Sequence, residues 1–385
     1  MRSLSDTLAR LNAMKTSADR AARQTQPSRL APFPPAGRNE GRLNAKIYVP
    51  AGIAAGSALI VALHGCTQDA DAFDVGSGWS QLADEQSFVV LYPEQQRANN
   101  ANLCFNWFNA ADTTRGAGEA ASIHALIEAT IARHNVNRSR IFITGLSAGG
   151  AMAASMLACY PDVFAGGAII AGLAHGVAQS VPEAFDRMRG HGLPSEAQLQ
   201  ALISARSTHQ GQWPSVSIWH GDADRTVAVA NAGALVAQWR GPHRVPETPT
   251  RIERGDRHIR RSWDGANGSV AIEEIVIAGM GHGLPLRGGD AVGRIGPFML
   301  DAGISSTREI ARSWGLTKAS ASRTVVAKSP ATSAPIASSP AMPRDAEPVA
   351  PAGSAQRPTP SASSPLASSV TNTIESALRA AGLMR

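Results

Sequence analysis

The chain has 385 residues, a formal net charge of +6 and 43% hydrophobic residues. That is enough apolar material for a sizeable core, which excludes a wholly disordered chain, and no run approaches the roughly 18–20 consecutive apolar residues of a membrane span. Residues 1–40 and 318–385 each hold seven basic and three acidic side chains, so the stretch between them is net −2 and a nucleic-acid face on the core is not expected.

In chain order, MRSLSDTLARLNAMK carries charges throughout and no apolar h-region, so no secretory signal peptide is read there. Residues 3–15 have helical spacing through Leu4, Leu8 and Leu11, with Ser3 and Asp6 placed like a capping box. QTQPSRLAPFPPAGRNEG then reads as a linker or extended arm, so residues 1–40 form an N-terminal segment of short helix plus arm.

From residue 41 to 317 apolar strands alternate with amphipathic helices. Strands are expected over 45–49, 58–63, 88–92, 140–144, 167–171, 216–219 and 274–277, and helices over 79–86, 119–134, 148–159, 229–239 and 306–314. In the second helix Ile123, Ile127 and Ile131 recur every fourth residue. Several of the strands are apolar throughout, as strands covered on both faces are. The alternation predicts an α/β fold with a mostly parallel central sheet flanked by helices.

Residues 318–367 are dominated by Ala, Ser and Pro. Such a segment buries too little apolar area to offset chain entropy and is expected to be a disordered tail. Residues 368–385 recover helical spacing through Val370, Ile374, Ala377, Leu378 and Ala381, consistent with a short amphipathic helix.

The chemistry concentrates at IFITGLSAGGAM. Gly145-Leu146-Ser147-Ala148-Gly149 fits G-x-S-x-G between an apolar strand and a small-residue helix. A strand that reverses directly into a helix makes a sharp turn at the serine. Glycines two before and two after remove side chains that would clash. Ser147 then stands out at the C-terminal edge of the sheet, and the Ala148 N–H at the helix start faces developing negative charge.

A nucleophilic serine needs a base, and the base needs an orienting acid. In this fold type the chain order is Ser, acid, His. IWHGDADRTV follows one strand and supplies Asp222 and Asp224; IAGMGHGLP follows another and supplies His282. Asp222 is placed to cap the glycine turn, and Asp224, further out, is the preferred partner for His282. A second oxyanion donor should come from an early strand–loop junction, where ALIVALHGCTQ offers the Cys66 N–H, with His64 shaping the turn.

LHGCTQ, GSGWSQLADEQSFVVLYPEQQ, CFNWF, GLSAGGAM, CYPDVFAG, IWHGDADRTV and GMGHGLP together resemble the poly(3-hydroxybutyrate) depolymerase family of esterases, related to acetylxylan and feruloyl esterases. The resemblance spans roughly residues 41–317. It implies an α/β-hydrolase fold, with Ser147 as nucleophile, Asp224 as acid, His282 as base, and the Cys66 and Ala148 N–H groups as oxyanion donors. It also implies a Cys66–Cys104 disulfide, against which two free buried thiols stand as the other reading. No cofactor or metal is implied.

In Cys104-Phe105-Asn106-Trp107-Phe108, Trp107 and Phe108 are candidates to line a substrate groove and Asn106 to orient a carbonyl; a core aromatic cluster is the competing reading. Glu119, opening its helix, reads as an N-terminal charge partner. The expected substrate is a polyester oligomer or, alternatively, an acylated polysaccharide. The alternative from another class is a non-catalytic polymer-granule adaptor. The resemblance implies an extracellular location, while the absence of a visible signal peptide keeps a cytoplasmic one open.

Overall fold

The computed structural model describes residues 28–317 apart from Ala36. The expected helix at 3–15, the tail at 318–367 and the helix at 368–385 lie outside the described residues.

A ten-stranded sheet runs through the middle of the molecule. Its strands are β1 (Ala31–Pro32), β2 (Asn44–Tyr48), β3 (Leu59–Leu63), β4 (Val89–Glu94), β5 (Ile141–Leu146), β6 (Gly166–Ile170), β7 (Ser215–Gly221), β8 (Arg251–Arg254), β9 (His258–Asp264) and β10 (Val270–Ile277). The spatial order is β1-β2-β4-β3-β5-β6-β7-β10-β9-β8. The six inner strands from β4 to β10 are parallel, and β1, β2, β9 and β8 pair antiparallel at the two sides. The α/β architecture read from the strand–helix alternation is therefore the one observed.

The helices are α1 (Ala70–Ser77), α2 (Trp79–Gln86), α3 (Gly118–His134), α4 (Ala148–Cys159), α5 (Val181–Met188), α6 (Glu196–Ser204), α7 (Ala230–His243) and α8 (Ser306–Ser313). β3 and β5 are buried along their whole length because both faces of the sheet are covered. One core cluster packs α3, α4 and α7 on one face, with Ile123, Ile127, Leu157 and Trp239 within it. The other packs α2 and α8 on the opposite face, around Trp79, Phe88 and Trp314. Among the described residues no helix is long and apolar enough to cross a membrane.

The strand order reverses between β3 and β5: the chain steps outward from β3 to β4, then returns to β5 on the other side. Parallel sheets open a crevice at such a point, beyond the carboxyl ends of the strands. The loops after β3, β5, β7 and β10 all emerge at that edge.

The structure adds β1, β8, β9, α1, α5 and α6 to the expected elements, with a separate parallel pair β11 (Leu284–Leu286) and β12 (Met299–Asp301). The β8–β9 ribbon escapes a hydrophobic-pattern reading because it is charged. Arg261 pairs with Glu274 at 2.6 Å, Arg260 with Glu309 at 3.0 Å, and Arg251 with Asp264 at 2.6 Å.

Helix α4 lies against the end of β3. A Cβ on Gly149 would stand 2.4 Å from the Leu63 carbonyl oxygen and 2.5 Å from that of His64. Gly233 in α7 meets nothing within 4 Å. Gly149→Ala is therefore expected to lower the unfolding free energy by about 1–3 kcal/mol, and Gly233→Ala to raise it by about 0.4–1 kcal/mol. Urea denaturation of the two variants checks the opposite signs.

Candidate active site

Ser147 sits between β5 and α4 with φ 58° and ψ −118°, in a region that non-glycine residues rarely occupy. Its N–H donates to the Ile170 carbonyl at 2.8 Å, which ties the turn to β6. A Cβ on Gly145 would lie 2.3 Å from the Gly149 carbonyl carbon and oxygen. Glycine at both flanking positions is thus demanded by backbone contact, as the motif spacing suggested.

The loops after β7 and β10 lock together. Asp222 N–H donates to Ile277 O at 3.1 Å, and Ala223 N–H to Met280 O at 3.1 Å. The exposed Asp222 side chain accepts from Gly279 N–H at 2.7 Å. Asp222 therefore braces the loop that carries His282, while Asp224 reaches the imidazole itself. Asp224 Oδ2 lies 2.7 Å from His282 Nδ1, and His282 Nε2 lies 2.9 Å from Ser147 Oγ. An acceptor at Nδ1 places the ring proton there and leaves Nε2 free to accept from the serine hydroxyl.

Asp224 Oδ1 accepts from the Thr226 and Val227 N–H groups at 2.8 and 2.9 Å. Burial works against the charge on Asp224. Hydrogen bonding from His220 and His282 outweighs it and holds the carboxyl well below the usual carboxylate range. His220 Nε2 stands 3.5 Å from Asp224 Oδ2 and 2.8 Å from the Val227 carbonyl, to which it donates.

The loop after β3 is shaped by His64. Burial pushes this ring down to about 4, so it is neutral near pH 7. Its Nδ1–H donates to Gly65 O at 2.8 Å, and Nε2 accepts from Gln95 N–H at 3.1 Å. Gly65 N–H donates to Gln68 Oε1 at 2.9 Å. Within the described residues neither the Cys66 nor the Ala148 N–H donates a hydrogen bond. Cys66 and Cys104 are joined as a disulfide across 38 residues, which pins this loop to the 104–108 segment. Cys159 is the free thiol; burial pushes it up to about 11, and its Sγ donates to Thr113 O at 2.9 Å, so it is no nucleophile.

The 104–108 segment is tied into the surrounding structure. Asn106 donates from Nδ2 to Glu119 Oε1 at 2.8 Å and accepts from Asn100 Nδ2 at 2.9 Å, so both ends of its amide are already engaged. Trp107 is buried in the core cluster that includes Ala148, and Phe108 packs edge-on against it, partly exposed. Of the three candidates for substrate contact, Asn106 and Phe108 are partly exposed and Trp107 is buried.

Four further residues surround the site. Glu119 is buried beneath the 104–108 segment and accepts from Asn106 N–H at 2.9 Å and from Gln95 Nε2 at 2.5 Å. Gln95 thereby connects Glu119 to His64 and also donates to Cys104 O at 3.0 Å. His220 supports Asp224. Phe298 sets its ring edge-on to His282, with centroids 6.3 Å apart. Glu119 carries a local signal, its place at the opening of a helix, and Phe298 another, the Gly-Pro turn before it.

The family model described as esterase PHB depolymerase matches residues 43–245. Poly(3-hydroxyalkanoate) depolymerase C of Paucimonas lemoignei is 41% identical over 284 residues, an alignment covering 73% of this chain and 68% of that protein. Acetylxylan esterase A of Aspergillus oryzae is 30% identical over 263 residues, 66% of this chain and 83% of that protein. The solved acetyl xylan esterase from Aspergillus awamori has the same fold, with a TM-score of 0.64 over 75% of this chain and 99% of that one at 22% identity.

Burial, and secondarily Asp112, push the Glu119 carboxyl up to about 8. A raised carboxyl holds its proton more tightly in the folded state. Glu119 thus contributes stability below its unfolded value, and that contribution is lost as pH rises from there through about 8. Glu119→Gln stays neutral throughout. Its melting temperature relative to wild type is expected to rise between about pH 5 and about pH 9. A pH-independent difference between the two melting curves contradicts this.

Proposed function

Because the chain belongs to the esterase PHB depolymerase family, and so is a carboxylic ester hydrolase, we propose that it cleaves polyesters or oligoesters of the 3-hydroxybutyrate type through an acyl-enzyme on Ser147. The observation that carries the assignment is the continuous row Ser147–His282–Asp224, with contacts of 2.9 and 2.7 Å.

Ser147 Oγ attacks the ester carbonyl while His282 Nε2 takes its proton. Asp224 keeps the other ring proton on Nδ1 and stabilises the imidazolium that forms. The Cys66 and Ala148 N–H groups, both without partners in the described residues, receive the charge on the carbonyl oxygen. His282 then gives its proton to the leaving alcohol oxygen. A water, deprotonated by the same nitrogen, attacks the acyl-enzyme, and collapse returns the proton to Ser147 with release of the acid.

The polyester substrate is supported by the 41% identity to the Paucimonas depolymerase, against 30% to the Aspergillus oryzae acetylxylan esterase. The carbohydrate-esterase reading draws on the latter relative and on the awamori fold. A non-catalytic adaptor has less behind it, because nucleophile, base and acid stand at bonding distance. The Cys66–Cys104 disulfide fits an extracellular, oxidising setting.

Ser147→Ala is expected to abolish turnover of p-nitrophenyl butyrate while leaving the circular dichroism spectrum unchanged; residual wild-type turnover rules the assignment out. On hydroxybutyrate oligomers, acetylxylan and methyl ferulate, the highest kcat/KM is expected for the oligomers. A preference for acetylxylan favours the carbohydrate-esterase reading instead.

The two aspartates separate by mutation. Asp224→Asn is expected to lower kcat by about 10⁴ through the wrong imidazole tautomer. Asp222→Asn retains an oxygen to accept from Gly279 and is expected to stay close to wild type. Equal losses in both variants contradict the division of roles.

A further inference from the structure

Gly296, Pro297, Phe298 and Met299 form a two-residue turn closed in both directions, Met299 N–H to Gly296 O and Gly296 N–H to Met299 O, each at 3.0 Å. Proline sets the first central φ, and Phe298 takes φ 62°. That is the type II pattern, whose second central position favours glycine or asparagine. A bulky side chain in the left-handed region is a genuine outlier. Such outliers persist where surrounding structure over-determines them, and they cluster at functional sites.

The loop bearing Phe298 is held firmly. Leu284 N–H donates to Phe298 O at 2.7 Å, and β11 and β12 pair behind it. Gly283, next to His282, leaves room for this approach, since a Cβ there would stand 2.7 Å from Phe298 O. At the other end Gly293 N–H donates to Gln81 Oε1 at 2.8 Å, and Arg294 N–H to Gly76 O at 3.0 Å. Between these anchors Ile295 is 51% exposed, one of two large hydrophobic side chains so exposed among the described residues. Phe298 is partly exposed, and its ring meets His282 at an interplanar angle of 81°.

This position has a chemical meaning that rests on the acyl-enzyme reading above. His282 must deliver its proton to the leaving oxygen, so the alcohol half of the ester lies on the imidazole side. We propose that Phe298, with the exposed Ile295 just before the same turn, is the specificity contact for that alcohol half. It selects leaving groups with a hydrocarbon face, such as a 3-hydroxyalkanoate unit, over polyol leaving groups such as a sugar. A glycine in this turn would relieve the backbone but present nothing to the substrate.

The test uses two butyrate esters with a common acyl group, one of methyl 3-hydroxybutyrate and one of methanol. Phe298→Gly places the favoured residue in the turn, and thermal melting checks that the fold is kept. The ratio of kcat/KM for the larger to the smaller alcohol is expected to fall about ten- to a hundredfold. Ile295→Ser is expected to move the ratio the same way by less, and it carries the test if Phe298→Gly does not fold. An unchanged ratio overturns the proposal. So does a change confined to the acyl series, methyl acetate against methyl butyrate. If Ser147→Ala still turns over both esters, it is the acyl-enzyme reading that fails.

Discussion

The backbone turn at Ser147 is the constraint on which the rest of the site depends. A parallel strand can pass straight into a helix only by a conformation that L-residues resist, and here φ reaches 58°. The turn survives because Gly145 and Gly149 let β5, α4 and the end of β3 come within backbone contact, and because Ser147 N–H is held by Ile170 O. The same close packing places the Ala148 N–H at a helix start and brings the HGC loop alongside. The proposed nucleophile and the proposed oxyanion donors are thus consequences of one packing solution.

Around that turn the sheet does the positioning. Parallel strands present their carboxyl ends at one edge, so residues 135 positions apart in sequence, Ser147 and His282, meet at 2.9 Å. Buried polar groups then fix orientation. Asp224 is held by two backbone N–H groups and His220, and His64, kept neutral by burial, is oriented by Gly65 and Gln95. Glu119, through Gln95 and Asn106, supports both sides of the disulfide-bridged loop. Asp224, His64 and Glu119 each have hydrogen-bond partners, which keeps their burial from being prohibitive, while His220 Nδ1 is buried without one.

Much of this was legible from the chain because the signals are local. An apolar run followed by G-x-S-x-G, and two later strand ends bearing Asp and His, are patterns within a dozen residues. The choice between Asp222 and Asp224 rested on position along the loop, and the Asp222–Gly279 bond gives its physical basis. What was not legible depends on distant pairing. The β8–β9 ribbon is stabilised by cross-strand charges such as Arg261 with Glu274, which a hydrophobic period cannot register. Phe298 reaches His282 only through the pairing of two three-residue strands. Residue type makes Asn106 a candidate to orient a carbonyl and Trp107 a candidate to line a groove; the bonds of Asn106 to Glu119 and the burial of Trp107 in the core are tertiary facts.

The central claim is that Ser147 is a nucleophile activated by His282. Incubation with a fluorophosphonate followed by peptide mass spectrometry tests it most directly. The account predicts a single adduct on the peptide containing Ser147, lost in His282→Ala while the fold is retained. An adduct on a different serine, or none on folded wild-type protein, would contradict it.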